Sequence, residues 1–148
     1  MSGLNGMSED EWEHLALDHL AESDVWEPLH GTKTAPGSGL RESWADPVMR
    51  SVLMAALVRL NPTVRTQHLQ QALADILAPK SQDAITENFR IHGYLVDGYR
   101  GLSYTDTDGR EENPTIRLLS ERAEDNVYHA VNQVIVRAGD NQRRFDIV

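Results

Sequence analysis

The sequence contains no cysteine, which excludes a disulfide framework and any metal site built on thiolates. It also has no apolar run as long as a membrane-spanning helix requires. Nothing near the N-terminus combines a basic flank with a short apolar stretch, as a secretory signal does. These absences predict a soluble, cytoplasmic protein with no membrane partner.

Positive charge is scarce as well. The chain has 14 lysine and arginine residues against 23 aspartate and glutamate residues, a formal net charge of -9, which argues against a sequence-independent grip on nucleic acid phosphates. The deficit is uneven, because residues 126–148 hold three arginines and only two acids. If the chain contacts DNA, we expect the contact in that stretch, through Arg137, Arg143 and Arg144.

Several familiar site motifs are missing. The glycines of residues 30–39 lack the spacing of a phosphate-binding loop, and the six histidines are too scattered to support a zinc site. A calcium loop around Asp106 and Asp108 would place Tyr104 and Thr115 at its first and last ligand positions, where neither can serve. We therefore predict no cofactor-binding residues of these kinds.

The first part of the chain is helical in pattern. Ser8 and Glu11 form a capping box, which predicts a helix from about Glu9 to Glu22. Its apolar stripe is expected to consist of Trp12, Leu15, Ala16 and Leu20.

Three more amphipathic helices are predicted to bury their stripes. Thr66 is expected to cap the second of them, and the stripe of the third includes Ile85 and Phe89. The predicted spans are about residues 49–60, 66–77 and 81–97.

The remaining segments have strand or loop character. Residues 25–29 indicate a short strand, residues 30–39 a linker or mobile loop, and residues 99–119 a small hairpin. Val131 to Arg137 and Phe145 to Val148 predict a second hairpin around a polar turn.

Asp146 is the residue of chemical interest in that last hairpin. The two-residue period of a strand places it on the face opposite Phe145 and Ile147, where a carboxylate needs a partner. One interpretation is an ordinary salt bridge to Arg143 or Arg144. The other is a functional carboxylate.

The order of motifs along the chain favours the second interpretation. LVRLNP at residues 57–62, ITENFRIHGYLVDGY at 85–99, a DG turn before a strand near Ile116, Asn126 followed by VNQ, and RRFDIV at 143–148 occur in succession. Together they resemble the N-terminal region of the R subunit (HsdR) of type I restriction enzymes, a branch of the PD-(D/E)xK nuclease superfamily.

That resemblance implies an α+β fold of the restriction-endonuclease type, with a helical lead-in packed on the first strands of a mixed β-sheet. It implies the N-terminal part of an endonuclease domain over residues 8–148. Composition predicts a flexible leader over residues 1–7. The change from helical to two-residue periodicity near Tyr99 predicts a helix-rich part to residue 98 and a β-rich part from residue 99. The family holds Mg²⁺ with a helix Glu, a strand Asp and an E-x-K pair. By resemblance, Asp146 takes the strand position and Glu13, which follows Trp12, the helix position. A solvated surface acid is the alternative for Glu13.

The resemblance also implies an activity for the intact subunit, which would cut double-stranded DNA in the bacterial cytoplasm together with modification (methyltransferase) and specificity subunits. ATP would be used by motor domains that this chain does not include. The chain has only Lys33 and Lys80, and neither follows an acid by two positions, so no E-x-K pair is present and the chain alone is expected to be inactive. Its last strand looks unfinished, which predicts that the natural protein continues. The alternative is a small acidic interaction module or DNA mimic.

Overall fold

The structure is a computed structural model that describes residues 6–148, so most of the predicted leader lies outside the described residues. The described part is α+β, as predicted, with four helices and a mixed sheet. The α-helices are α1 (Glu9–Ala21), α2 (Arg50–Leu60), α3 (Thr66–Leu77) and α4 (Ala84–Asp97). The strands are β1 (Trp26–His30), β2 (Tyr104–Thr105), β3 (Glu111–Glu112), β4 (Tyr128–Ala138) and β5 (Asn141–Ile147).

The chain forms two compact units. The first combines the described residues up to Arg50 with Val127–Val148, and the second is Ser51–Asn126. Among the described residues, no helix has both the length and the apolar character to span a membrane.

A three-stranded sheet in the order β1-β4-β5 organises the first unit. β1 pairs parallel to β4, and β5 pairs antiparallel to β4, which confirms the predicted hairpin. Pro28 lies in the edge strand β1, where a missing N–H costs no ladder hydrogen bond. Helix α1 packs against β1 and β4, which brings the start of the described chain next to the sheet.

Helix α1 begins as predicted but buries a different face. Ser8 and Glu11 form the capping box, whereas Trp12 and Leu15 are 58% and 49% exposed, so the predicted stripe is wrong for these two. The helix instead buries Glu13 and Leu17. The hydrophobic pattern misleads here because a carboxylate lies at the centre of the buried face, where a partner on the sheet satisfies it.

The predicted linker after β1 is in part an ordered and buried element. Gly31–Thr34 forms a 3₁₀ turn in which Gly31 and Thr34 are buried. The Arg41 guanidinium donates through Nε to the Thr34 carbonyl oxygen at 2.7 Å. The segment is short of apolar residues because backbone and side-chain hydrogen bonds, rather than hydrophobic burial, hold it.

The second unit has its own hydrophobic core, and four predictions for it need correction. The N-cap of helix α3 is Arg65 and not Thr66. Helix α4 begins at Ala84, with Asp83 as its N-cap, and not at residue 81. The side chains of Ile85 and Phe89, predicted to be buried, are 67% and 74% exposed. The apolar face of α4 that packs on the core instead includes Ile91 and Tyr94.

The predicted small hairpin is reduced to the short strands β2 and β3, with an isolated bridge between Tyr99 and Ile116. The buried core comprises Leu57, Val64, Leu69, Ala72, Ile76, Tyr99, Leu102, Ile116 and Leu118.

Candidate metal site

The first unit brings together acids that are distant in sequence. Glu13 on α1 and Asp146 on β5 approach one another, and Glu9 joins them. One ligand oxygen from each of the three carboxylates can be chosen so that all three lie within 4.8 Å of one another. Such a group arises only from the packing of α1 against the sheet.

Strand β5 fixes the position of Asp146. The register pairs Val134 with Phe145 and Asn132 with Ile147, which leaves Gln133 opposite Asp146. Over the described residues, no ion pair joins Asp146 to Arg143 or Arg144. The salt bridge considered from the sequence is therefore not formed.

Glu13 is buried, with only 5% of its surface exposed. The side-chain amide of Gln133 donates through Nε2 to both carboxylate oxygens of Glu13, at 2.6 Å each. A buried carboxylate must be hydrogen-bonded or paired, and Gln133 supplies this partner from β4. The alternative of a solvated surface acid does not describe Glu13.

Glu9 is the ligand candidate that the sequence argument missed. It precedes Glu13 by four residues, so both lie on one face of α1. Its neighbour Glu11 is occupied elsewhere, since it accepts hydrogen bonds from the Ser8 backbone N–H at 2.6 Å and the Ser8 hydroxyl at 2.9 Å. These bonds, the backbone one foremost, hold the pKa of the Glu11 carboxyl below its ordinary value. The four-residue spacing of Glu9 and Glu13 could have identified Glu9 as a ligand candidate from the sequence.

A small cavity of about 140 Å³ adjoins these residues and is lined by Glu9, Asp10, Glu13, Gln133 and Arg144. Arg144 lies two residues before Asp146 on β5, so the strand period puts both on one face. The cavity therefore carries a cluster of negative charge with one arginine at its margin.

The donor set fits a hard divalent cation. Carboxylate oxygens are the ligands that Mg²⁺ and Ca²⁺ prefer, and Mg²⁺ commonly takes one or two protein carboxylates and completes its shell with water. Glu13, Asp146 and Glu9 offer such oxygens close together. Mutual repulsion among three carboxylates is relieved when a cation lies between them.

Comparison with known families identifies the family of this chain. A family model described as the type I restriction enzyme R protein N terminus matches residues 6–148. The chain belongs to this family. No curated protein and no solved structure gives a significant match. Membership in this family implies a multi-subunit restriction enzyme that acts on DNA.

The three arginines expected to contact DNA are not equivalent in the structure. Arg137 is engaged, because its Nε donates to Gln142 at 2.8 Å and its guanidinium lies 4.8 Å from the centre of the Trp44 ring. Arg143 and Arg144 are exposed neighbours on β5 and point to opposite faces of the strand. Arg144 alone lines the cavity beside Glu13.

Proposed function

We propose that this chain supplies part of a Mg²⁺-dependent nuclease centre that cuts double-stranded DNA. The observation that carries the proposal is the approach of Glu13, at the start of the chain, to Asp146, near its end, within reach of a single ion. Helix or strand periodicity cannot bring together two acids that are so far apart in sequence. Their approach depends on the packing of α1 against the sheet.

The roles follow from position. Asp146 and Glu13 would hold the ion, with Glu9 as a further oxygen donor. When bound, Mg²⁺ supplies Lewis-acid stabilisation of charge on the phosphate and lowers the pKa of a water ligand. Arg144, beside the cavity on the Asp146 face, is placed to attract a DNA phosphate toward the site.

The proposed activity and partners of the intact subunit rest on the family. We propose that the intact subunit works in the bacterial cytoplasm with modification (methyltransferase) and specificity subunits, and that ATP drives motor domains outside this chain. The E-x-K pair that the family uses is absent from this sequence. The present chain is therefore proposed to hold one part of the centre and to require the rest for activity.

A Mn²⁺ titration of the chain tests the site, because free Mn²⁺ is measured directly by its electron paramagnetic resonance signal. We expect one Mn²⁺ to bind and Mg²⁺ to displace it. Asp146→Asn and Glu13→Gln, which keep size but remove charge, should each weaken binding by at least about tenfold, or roughly 1.4 kcal/mol.

Asp18→Asn is the matched control, since Asp18 is an exposed acid on the same helix outside the three-carboxylate group. Its affinity should stay within about twofold of the parent, which corresponds to roughly 0.4 kcal/mol. An acidic interaction module without a metal site would show no saturable Mn²⁺ binding, and that result would refute the proposal.

DNA binding by the isolated chain is expected to be weak and to disappear in moderate salt. The net charge of -9 opposes binding, and few arginines are available to meet phosphates, so the dependence of affinity on salt should be shallow. Fluorescence anisotropy with a labelled duplex measures both quantities. Arg144→Gln should weaken this binding further, whereas Arg110→Gln, in the second unit, should not. Sub-micromolar binding at physiological salt would contradict this expectation.

A further inference from the structure

We propose that Gln133 is the positioning residue of the metal site: it orients the Glu13 carboxylate toward Asp146 without itself needing to bind the ion. This inference rests on the proposed function of the site. It assigns a role to a neutral residue that neither charge nor metal-ligand chemistry would single out.

The first support is the pair of hydrogen bonds between Gln133 and Glu13. An ionised carboxylate can only accept, so the amide nitrogen of Gln133, and not its oxygen, must face Glu13. The nitrogen lies 2.6 Å from each of the two oxygens, which fixes the plane of the carboxylate as well as its position. Each oxygen keeps a further lone pair for a cation.

The second support is the backbone of Gln133. It has φ of 53° in the middle of β4, a left-handed conformation that a side-chain-bearing residue rarely adopts in a strand. The pairs Asn132 with Ile147 and Val134 with Phe145 keep one register on both sides of it. The strand is therefore distorted at a single residue, the one opposite Asp146, and such a distortion persists only where surrounding structure holds it.

The third support is the packing that holds this conformation. A methyl group on Gly31 would lie 2.3 Å from the Gln133 carbonyl oxygen and 2.4 Å from that of Asn132. Glycine at position 31 thus lets the 3₁₀ turn press directly on the peptide of Gln133. The Gln133 backbone thus contacts Gly31, and its side chain reaches from β4 to Glu13 on α1.

The consequence is that Gln133 links the helix that carries Glu13 to the strand pair that carries Asp146. Without its amide, the buried carboxylate of Glu13 loses both hydrogen bonds from Gln133 Nε2 and is free to turn away from the ion. Residues that orient a metal ligand in this manner typically change metal affinity by about 10- to 100-fold when they are replaced. We expect a loss in that range.

A double-mutant cycle on Mn²⁺ affinity tests this role. Gln133→Met keeps the length of the side chain and removes the donor, and it should weaken binding by about 10- to 100-fold in the parent. In the Glu13→Gln background the same change should have an effect of less than about twofold, because the group through which it acts is already lost. Gln133→Asn, whose amide is one methylene too short, should behave like Gln133→Met.

Gln70→Met, at an exposed position of α3, controls for the chemistry of the substitution and should leave affinity unchanged. Urea unfolding of every variant shows whether it is folded, and Gln133→Asn serves if Gln133→Met is not. If the parent binds no Mn²⁺, the proposed function itself fails and this inference with it. If the parent binds but Gln133→Met and Gln133→Asn bind equally well, or if the losses are the same in both backgrounds, only the positioning role is overturned.

Discussion

Asp146→Ala is expected to abolish DNA cleavage by the reconstituted restriction enzyme while its ATP turnover continues near the parental rate. Asp146 is an exposed strand residue without an ion-pair partner among the described residues, so its removal leaves no unpaired buried group and should not unfold the sheet. What it removes is one of the carboxylates proposed to hold Mg²⁺, and loss of the ion removes the largest stabilisation of charge available to phosphodiester hydrolysis.

The measurement uses the intact R subunit with the proposed modification and specificity subunits, ATP, Mg²⁺ and a supercoiled plasmid. Asp140→Ala is the matched control, because Asp140 lies at the turn of the same hairpin and outside the three-carboxylate group. It should cut at the parental rate. An Asp146→Ala enzyme that nicks plasmid as fast as the parent would show that Asp146 is not a ligand.

The isolated chain provides a second arm of this experiment. With Mg²⁺ and plasmid it is expected not to cut, because its two lysines, Lys33 and Lys80, do not follow an acid by two positions and neither lines the cavity. In the proposed nuclease centre, a lysine beside the metal ligands would supply the stabilisation of developing charge. Nicking by the isolated chain would show that the site described here is complete by itself.

The elements that carry the candidate site could be predicted from local sequence, whereas the roles of Asp146 and Glu13 were implied only by the family resemblance. Asp146 follows from a two-residue period in a strand, because an acid between Phe145 and Ile147 must face away from them. The start of α1 follows from the capping box of Ser8 and Glu11, which depends only on residues three apart. Such features need no knowledge of the rest of the chain, and the structure confirms both elements.

The remainder depends on tertiary packing. Trp12 and Leu15 are apolar, yet α1 exposes them and buries Glu13. The hydrogen-bond partner of Glu13 is Gln133, whose position depends on the folded sheet. The left-handed backbone of Gln133 and its contact with Gly31 are likewise invisible in a window of neighbouring residues. The Gln133 amide allows Glu13 to be buried, because a buried carboxylate without a hydrogen-bond donor would be costly.

Gly31→Ala is expected to destabilise the first unit by about 1–3 kcal/mol or more and to weaken Mn²⁺ binding as well. The new methyl group would meet two backbone carbonyl oxygens, at 2.3 Å and 2.4 Å, and backbone cannot yield as the end of a flexible side chain can. Either the 3₁₀ turn or β4 must move. Since the crowded carbonyls belong to Asn132 and Gln133, the movement displaces the residue that holds Glu13.

Tryptophan fluorescence during urea unfolding measures this effect selectively, because the three tryptophans, Trp12, Trp26 and Trp44, all belong to the first unit. Gly93→Ala is the matched control: a methyl group there would meet nothing within 4 Å, and within helix α4 the change should be neutral or stabilising by up to about 1 kcal/mol. The fluorescence midpoint should fall for Gly31→Ala and stay unchanged for Gly93→Ala. Equal midpoints for the two variants would mean that β4 yields to the methyl group without cost, and the close approach of Gly31 would then not be what holds Gln133 in place.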